Sequence, residues 1–265
     1  MRERYKTIYL SPHLDDAVLS CGGRIYLETA CTELPNAVGH AEVAASHPVL
    51  IVTQMAGEPA PDLQLSAFAQ ELHQRWELPQ DTVRARCAED AAACQILGAD
   101  YFHWDIPDCV YRIDPATGEP CYPTWESIIT TQHSADEATL AYLTQQLSQL
   151  PPADEIVVPL TAGQHVDHRL VRQAAEQAFG ADRLLYYEDY PYAAQEGAVD
   201  AVLTPDLQPN QILLPETAVR AKIEAIWAYA SQRSSFFDDF ADLERKIESY
   251  TAKVGGERYW HRITV

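Results

Sequence analysis

The chain has 265 residues, 47% of them hydrophobic and 22% charged, which suits one large α/β domain with a sizeable core and no long disordered stretch. Acidic residues outnumber basic ones by 39 to 19, for a formal net charge of −20. Such a field repels phosphate backbones and anionic membrane surfaces, so neither nucleic acid nor a membrane is expected as partner; the plain alternative is a well-solvated acidic surface.

The opening MRERYKTIYLSPHLDD carries charge but no apolar stretch of the kind a secretory signal needs, and no run has the length of a transmembrane helix. Strand, helix and strand then follow at 6–11, 17–30 and 48–54. Residues 59–80 are Pro-rich and polar, with a short helix predicted around 65–75. A helix is predicted over 81–97, with Asp81 as N-cap and Gly98 as its stop, and a strand over 100–105. Residues 106–133 read as a long functional loop. A helix at 135–150 ends at Pro151 and Pro152, and the apolar strand EIVVPL (155–160) follows. Next come a helix at 166–179 stopped by Gly180, a strand at 183–189, and two weaker strands within 198–214. Helices at 216–232 and 236–253 precede a Gly-Gly break. Strands alternating with helices imply parallel βαβ units with helices on both faces of the sheet, and ligands at the carboxyl ends of the strands. The expected organisation is a single domain over 1–265, with loop-rich insertions near 55–80 and 106–133.

Cys21, Cys31, Cys87, Cys94, Cys109 and Cys121 form no CxxC pair. They read as free thiols of a reducing cytoplasm rather than a disulfide framework or a zinc ribbon.

Two strand-to-helix junctions stand out. The first is Ser11-Pro12-His13-Leu14-Asp15-Asp16, where Asp15 or Asp16 would also serve as an ordinary helix cap. The second is Gly163-Gln164-His165-Val166-Asp167-His168, with two His on one helix face and Asp167 in a favourable first-turn position. Alone, the first reads better as a helix cap with a chance His nearby, and the second is only suggestive. Together they lie on one edge of the sheet. A catalytic zinc takes three N and O ligands and keeps one open position. One Asp and two His would supply them, leaving a second carboxylate and a third His for acid–base work and oxyanion donation.

PHLDDAVLSCGG resembles the HPDDxxLxxGG signature of the LmbE-like, or PIG-L, deacetylases, and GQHVDHRLV resembles their HxDH signature. RCAEDAAACQILGA (86–99), IPDCVYR (106–112) and AIWAYASQ extend the likeness over most of the chain. It implies a three-layer α/β/α, Rossmann-like fold and a cytoplasmic enzyme holding zinc, or another divalent ion such as Fe2+, through His13, Asp16 and His168. Metal-activated water would remove an acetyl group from an N-acetylglucosamine-type or related small N-acyl substrate. Asp15 would be the general base, and His165, cationic, the oxyanion donor; either could protonate the leaving amine. Arg86 and Asp108 match family residues that face the sugar. Their structural alternatives are an Arg86–Glu89 helix pair and a turn after Pro107. The partner would be a small N-acetylated sugar or conjugate, and relatives are often homo-oligomers. Leu14 and Ala17 stand where the family usually has Pro and Glu; the missing Glu removes an outer carboxylate.

Tyr187, Glu188, Asp189 and Tyr190 read either as pocket rim or as core and edge packing, and His103 as packing. His40, His47, His73, His133 and His261 show no ligand spacing. The competing functions are a metal- or sugar-binding protein of the same fold without catalysis, a metallohydrolase for another amide, and a dinucleotide enzyme. The last lacks a GxGxxG after the first strand.

Overall fold

In the computed structural model, residues 2–30, 48–77 and 81–263 are described; Cys31, His40 and His47 lie outside them. The described strands are β1 (Tyr5–Ser11), β2 (Val49–Thr53), β3 (Asp100–His103), β4 (Ala153–Pro159), β5 (Leu184–Tyr187), β6 (Leu207–Ile212) and β7 (Glu257–Arg262). The helices are α1 (Asp16–Thr29), α2 (Ala67–Arg75), α3 (Thr82–Ile96), α4 (Asp136–Leu147), α5 (Val166–Phe179), α6 (Glu216–Trp227), α7 (Arg233–Phe236) and α8 (Phe240–Val254). One sheet runs in the order β3-β2-β1-β4-β5-β7-β6. Its first five strands are parallel, and β7 and β6 are antiparallel additions.

The central strands are apolar because both sheet faces are covered. Tyr9 packs with residues of α1, α3, α6 and α8, while its neighbours Ile8 and Leu10 face the α4 and α5 layer. This is the expected three-layer α/β/α arrangement. Helix α1 comes very close to α6: a Cβ at Gly22 would stand 3.0 Å from Lys222 Cγ. No helix among the described residues is long and apolar enough to cross a membrane.

The order places β1 beside β4, with Tyr9 opposite Val157. From β1 the chain proceeds outward to β2, and from β4 it proceeds the other way to β5. The carboxyl ends of β1 and β4 therefore flank the point where strand order reverses, the usual ligand crevice of open α/β sheets. Both motif-bearing junctions open into it.

Some local expectations shift. Asp81 occupies the N-cap position of α3 with φ +52 and makes no side-chain cap. Only one strand forms within 198–214, preceded by a 3-10 turn at Asp200–Val202. The two C-terminal helices become α6, the short α7 and α8. Beyond Gly255 (φ +73), where α8 ends, β7 pairs antiparallel with β6, a partnership that local pattern does not announce. The five described cysteines are unbridged.

Candidate active site

The first junction is a locked turn. Ser11 Oγ donates to His13 O at 2.7 Å and accepts from Ala17 N at 3.0 Å, while His13 N donates to Asp16 Oδ2 at 2.8 Å. Asp15 sits at the N-cap of α1 with φ 153 and makes no cap hydrogen bond. The second junction carries two more non-glycine residues at positive φ, Thr161 (φ 71) and Gln164 (φ 58). Such backbone strain concentrates where surrounding structure holds a site in shape.

The two junctions meet through His13, Asp16 and His168. His168 donates from Nδ1 to Asp189 Oδ1 at 2.6 Å. Its Nε2 is buried, has no hydrogen-bond partner among the described residues, and points to within 3.2 Å of Asp16 Oδ2. His13 is arranged likewise: Nε2 lies 3.0 Å from Asp167 Oδ2, and Nδ1 lies 3.1 Å from the same Asp16 Oδ2. Two imidazole nitrogens thus converge on one carboxylate oxygen, and only protons or a cation can reconcile them. The far nitrogen of each ring rests on a carboxylate, as in metal-ligating histidines, and the N and O donor set suits a divalent ion. The ring nitrogens of His13, His165 and His168 all lie within 4.8 Å of one another.

Titration follows the same geometry. Burial opposes charge on His13, but Asp108, Asp16 and Asp167 outweigh it and hold the imidazole well above its usual value. Burial likewise opposes charge on His168, yet Asp16 and Asp189 push it up to about 9. Asp16 is buried too, and His168 and His13 hold it well below the usual carboxylate range. Asp15 behaves oppositely. Burial and then Asp16 push it up to about 7, with Arg86 and His13 opposing only in part.

Burial and then His13 hold His165 well below its usual value, so the ring is neutral rather than the cation that the family resemblance implies. Its Nδ1 accepts from Asp167 N at 3.3 Å, which leaves the proton on Nε2. The neutral ring therefore remains a donor. Cys109 Sγ stands 4.0 Å from that nitrogen, and burial keeps the thiol protonated.

A cleft of about 340 Å³ exposes these groups, with His13, Asp15, Asp16, Arg86, Asp108 and His165 all in its lining. His168 lies just beneath. Leu72, Trp76, Trp125 and Ile128 contribute apolar lining, and Gln232 a polar side chain. Arg86 is buried and stacked 4.6 Å from the Trp76 ring, with its Nε unpartnered among the described residues and its Nη2 3.9 Å from Asp15. It does not pair with Glu89, which instead takes both Ser231 N and Ser231 Oγ. Asp108 accepts from Val110 N and comes within 3.7 Å of His13 Nε2.

Several members of the site escape the sequence reading. Asp167, assigned only to the helix dipole, accepts from Cys109 N and Arg112 as well as facing His13. Arg112 joins it to Asp136, which also takes the Tyr122 hydroxyl. The interposed Asp of the HVDH motif was the available signal. None of Tyr187, Glu188, Asp189 and Tyr190 lines the cleft: Asp189 supports His168 from below, and Glu188 receives Tyr250, Arg258 and Trp260. His103 is paired with Asp90 at 2.7 Å.

No protein-family model matches the chain. It is 27% identical to a 2'-N-acetylparomamine deacetylase of Streptomyces fradiae over 88% of this chain and 76% of the relative. A protein of the same description from Niallia circulans is 25% identical, over 96% of this chain and 89% of the relative. Among solved structures, the zinc-inhibited form of teicoplanin deacetylase superposes with a TM-score of 0.76 at 26% identity, covering 96% of this chain and 97% of that one. The fold is that of these deacetylases, and the similarity supports an amide-hydrolysing enzyme.

Proposed function

We propose that this protein is a metal-dependent hydrolase that removes the acetyl group from an N-acetylated amino sugar or a related conjugate. The observation that carries the reading is the convergence of His13 Nδ1 and the orphaned His168 Nε2 on Asp16 Oδ2. These three residues would hold zinc or another divalent ion such as Fe2+. Such an ion supplies Lewis acidity, acidifying water and polarising a carbonyl. The similarity to deacetylases supports the substrate chemistry.

Asp15 is the base. Its carboxylate accepts no hydrogen bond among the described residues, lines the cleft, and is held near neutrality, where proton transfer works best. It takes the proton of the attacking water. His165, neutral with its proton on Nε2, donates to the oxygen that gains charge as the carbonyl becomes tetrahedral. The amine nitrogen then needs a proton. Asp15 carries one at that stage, whereas loss of the single His165 proton would leave an imidazolate. Arg86 and Asp108 orient sugar hydroxyls along the cleft.

Acetate release from a panel of N-acetylated sugars, before and after chelation and zinc restoration, is the test. Asp15→Ala should abolish turnover while metal content is unchanged. Normal turnover in that variant would contradict the base assignment.

A further inference from the structure

Beside the cleft lies a second groove of about 540 Å³, formed by α8 and the turn after β5. The two share Pro191, Ser235 and Phe236, so one ligand can occupy both across that ridge. We propose that this groove binds an anionic substituent, phosphoryl or carboxylate, of the same substrate whose acetamide enters the cleft. The proposal rests on the deacetylase reading.

The charge pattern carries it. In a chain where acids outnumber bases two to one, the groove lining contains Arg245, Lys246 and Lys253 and no acidic side chain. Arg245, Ser249 and Lys253 recur every fourth residue, so they share one face of α8 over about 12 Å. Glu244 and Glu248 turn to a different groove, with Glu216 and Glu224. The helix is therefore segregated by sign, with its bases gathered next to the cleft.

Local pairing leaves positive charge over. One buried carboxylate, Asp242, contacts both Arg245 and Lys246. Lys246 Nζ also donates to Phe236 O at 2.8 Å, which ties its head to the shared ridge. Lys253 forms no ion pair among the described residues. A base in the last turn of a helix is explained by the macrodipole, which accounts for Lys253 but not for Arg245 and Lys246, both in the first half of α8. Ser235 Oγ, on the ridge itself, is buried without a hydrogen-bond partner among the described residues. Three cations against one carboxylate, open to a groove, suit an anion carried by the substrate. A polycationic amino sugar would meet repulsion there instead.

The test compares kcat/KM of the metal-loaded enzyme for four substrates. These are N-acetylglucosamine, its 1-phosphate, its 6-phosphate, and the 3-O-lactyl carboxylate N-acetylmuramic acid. At low salt at least one anionic compound should exceed the neutral parent by about tenfold or more. Which one leads distinguishes phosphoryl from carboxylate. The lead should collapse at high salt and in the Arg245→Gln/Lys253→Gln variant, whose rate on the neutral parent should be unchanged. No anionic lead, or a lead that survives in the variant, overturns the proposal and leaves the deacetylase reading standing. If no compound releases acetate, that reading falls, and equilibrium dialysis of the sugar phosphates decides the groove separately. Equal binding by the protein and the variant overturns it.

Discussion

Asp189 fixes His168: a 2.6 Å hydrogen bond from Nδ1 to Asp189 Oδ1 turns the opposite nitrogen toward Asp16, and Ala162 N holds the other carboxylate oxygen at 3.0 Å. Asp189 leaves the end of β5, so a third strand of the sheet supports the junctions of β1 and β4. Replacing a carboxylate in this supporting position weakens metal binding without removing a ligand. Asp189→Asn should lower zinc affinity by about 10- to 100-fold, read by competition with a chelator, with the fold retained.

Arg112 is buried between Asp167 and Asp136 and stacks 5.4 Å from Tyr122. Removing it takes the shared guanidinium from two buried carboxylates, leaving Asp136 with the Tyr122 hydroxyl and Asp167 with Cys109 N and His13. Arg112→Ala should therefore destabilise the protein by about 3–5 kcal/mol in denaturant titration. It should also loosen His13, whose Nε2 rests on Asp167.

Arg86 lowers the Asp15 pKa against burial and Asp16. In Arg86→Ala that opposition is lost, so Asp15 holds its proton to higher pH. The acid limb of kcat/KM should move upward in pH, and KM should rise with loss of the Arg86 Nε, which has no hydrogen-bond partner among the described residues and is free to meet the sugar. A superimposable pH profile would remove Arg86 from the site.

His103 and Asp90 form a pair away from the cleft. Burial opposes charge on His103, but Asp90 and then Cys87 together outweigh it and push the imidazole up to about 9. The proton is held more tightly in the folded protein than in the unfolded chain. The pair's stabilisation is therefore complete below about pH 6.5 and is lost as pH rises through about 9. His103→Gln should flatten the stability profile across that interval, measured by urea unfolding at a series of pH values.

Much of this was legible before any coordinates. Alternating apolar strands and capped helices announce a parallel sheet, and α5 falls at the predicted 166–179. His13, Asp15, Asp16, His165 and His168 are visible because each lies at a strand-to-helix junction. Strand β7 was not, because ERYWHR pairs with β6 across a connection of some forty residues and its register is a tertiary matter. The roles of Asp189 and Asp167 behind the histidines were missed for a related reason. An Asp after a strand and an Asp in a first helical turn have sufficient local explanations, and only the sheet order brings them behind His168 and His13. The neutrality of His165 comes from burial and from His13, neither of which its own neighbours in sequence reveal.

Zinc content per chain, measured by mass spectrometry after loading and dialysis, tests the metal centre most directly. The intact protein should retain about one equivalent, and His13→Ala, Asp16→Ala and His168→Ala should each retain far less. Full occupancy in His168→Ala would mean that the β4 junction does not share an ion with the β1 junction.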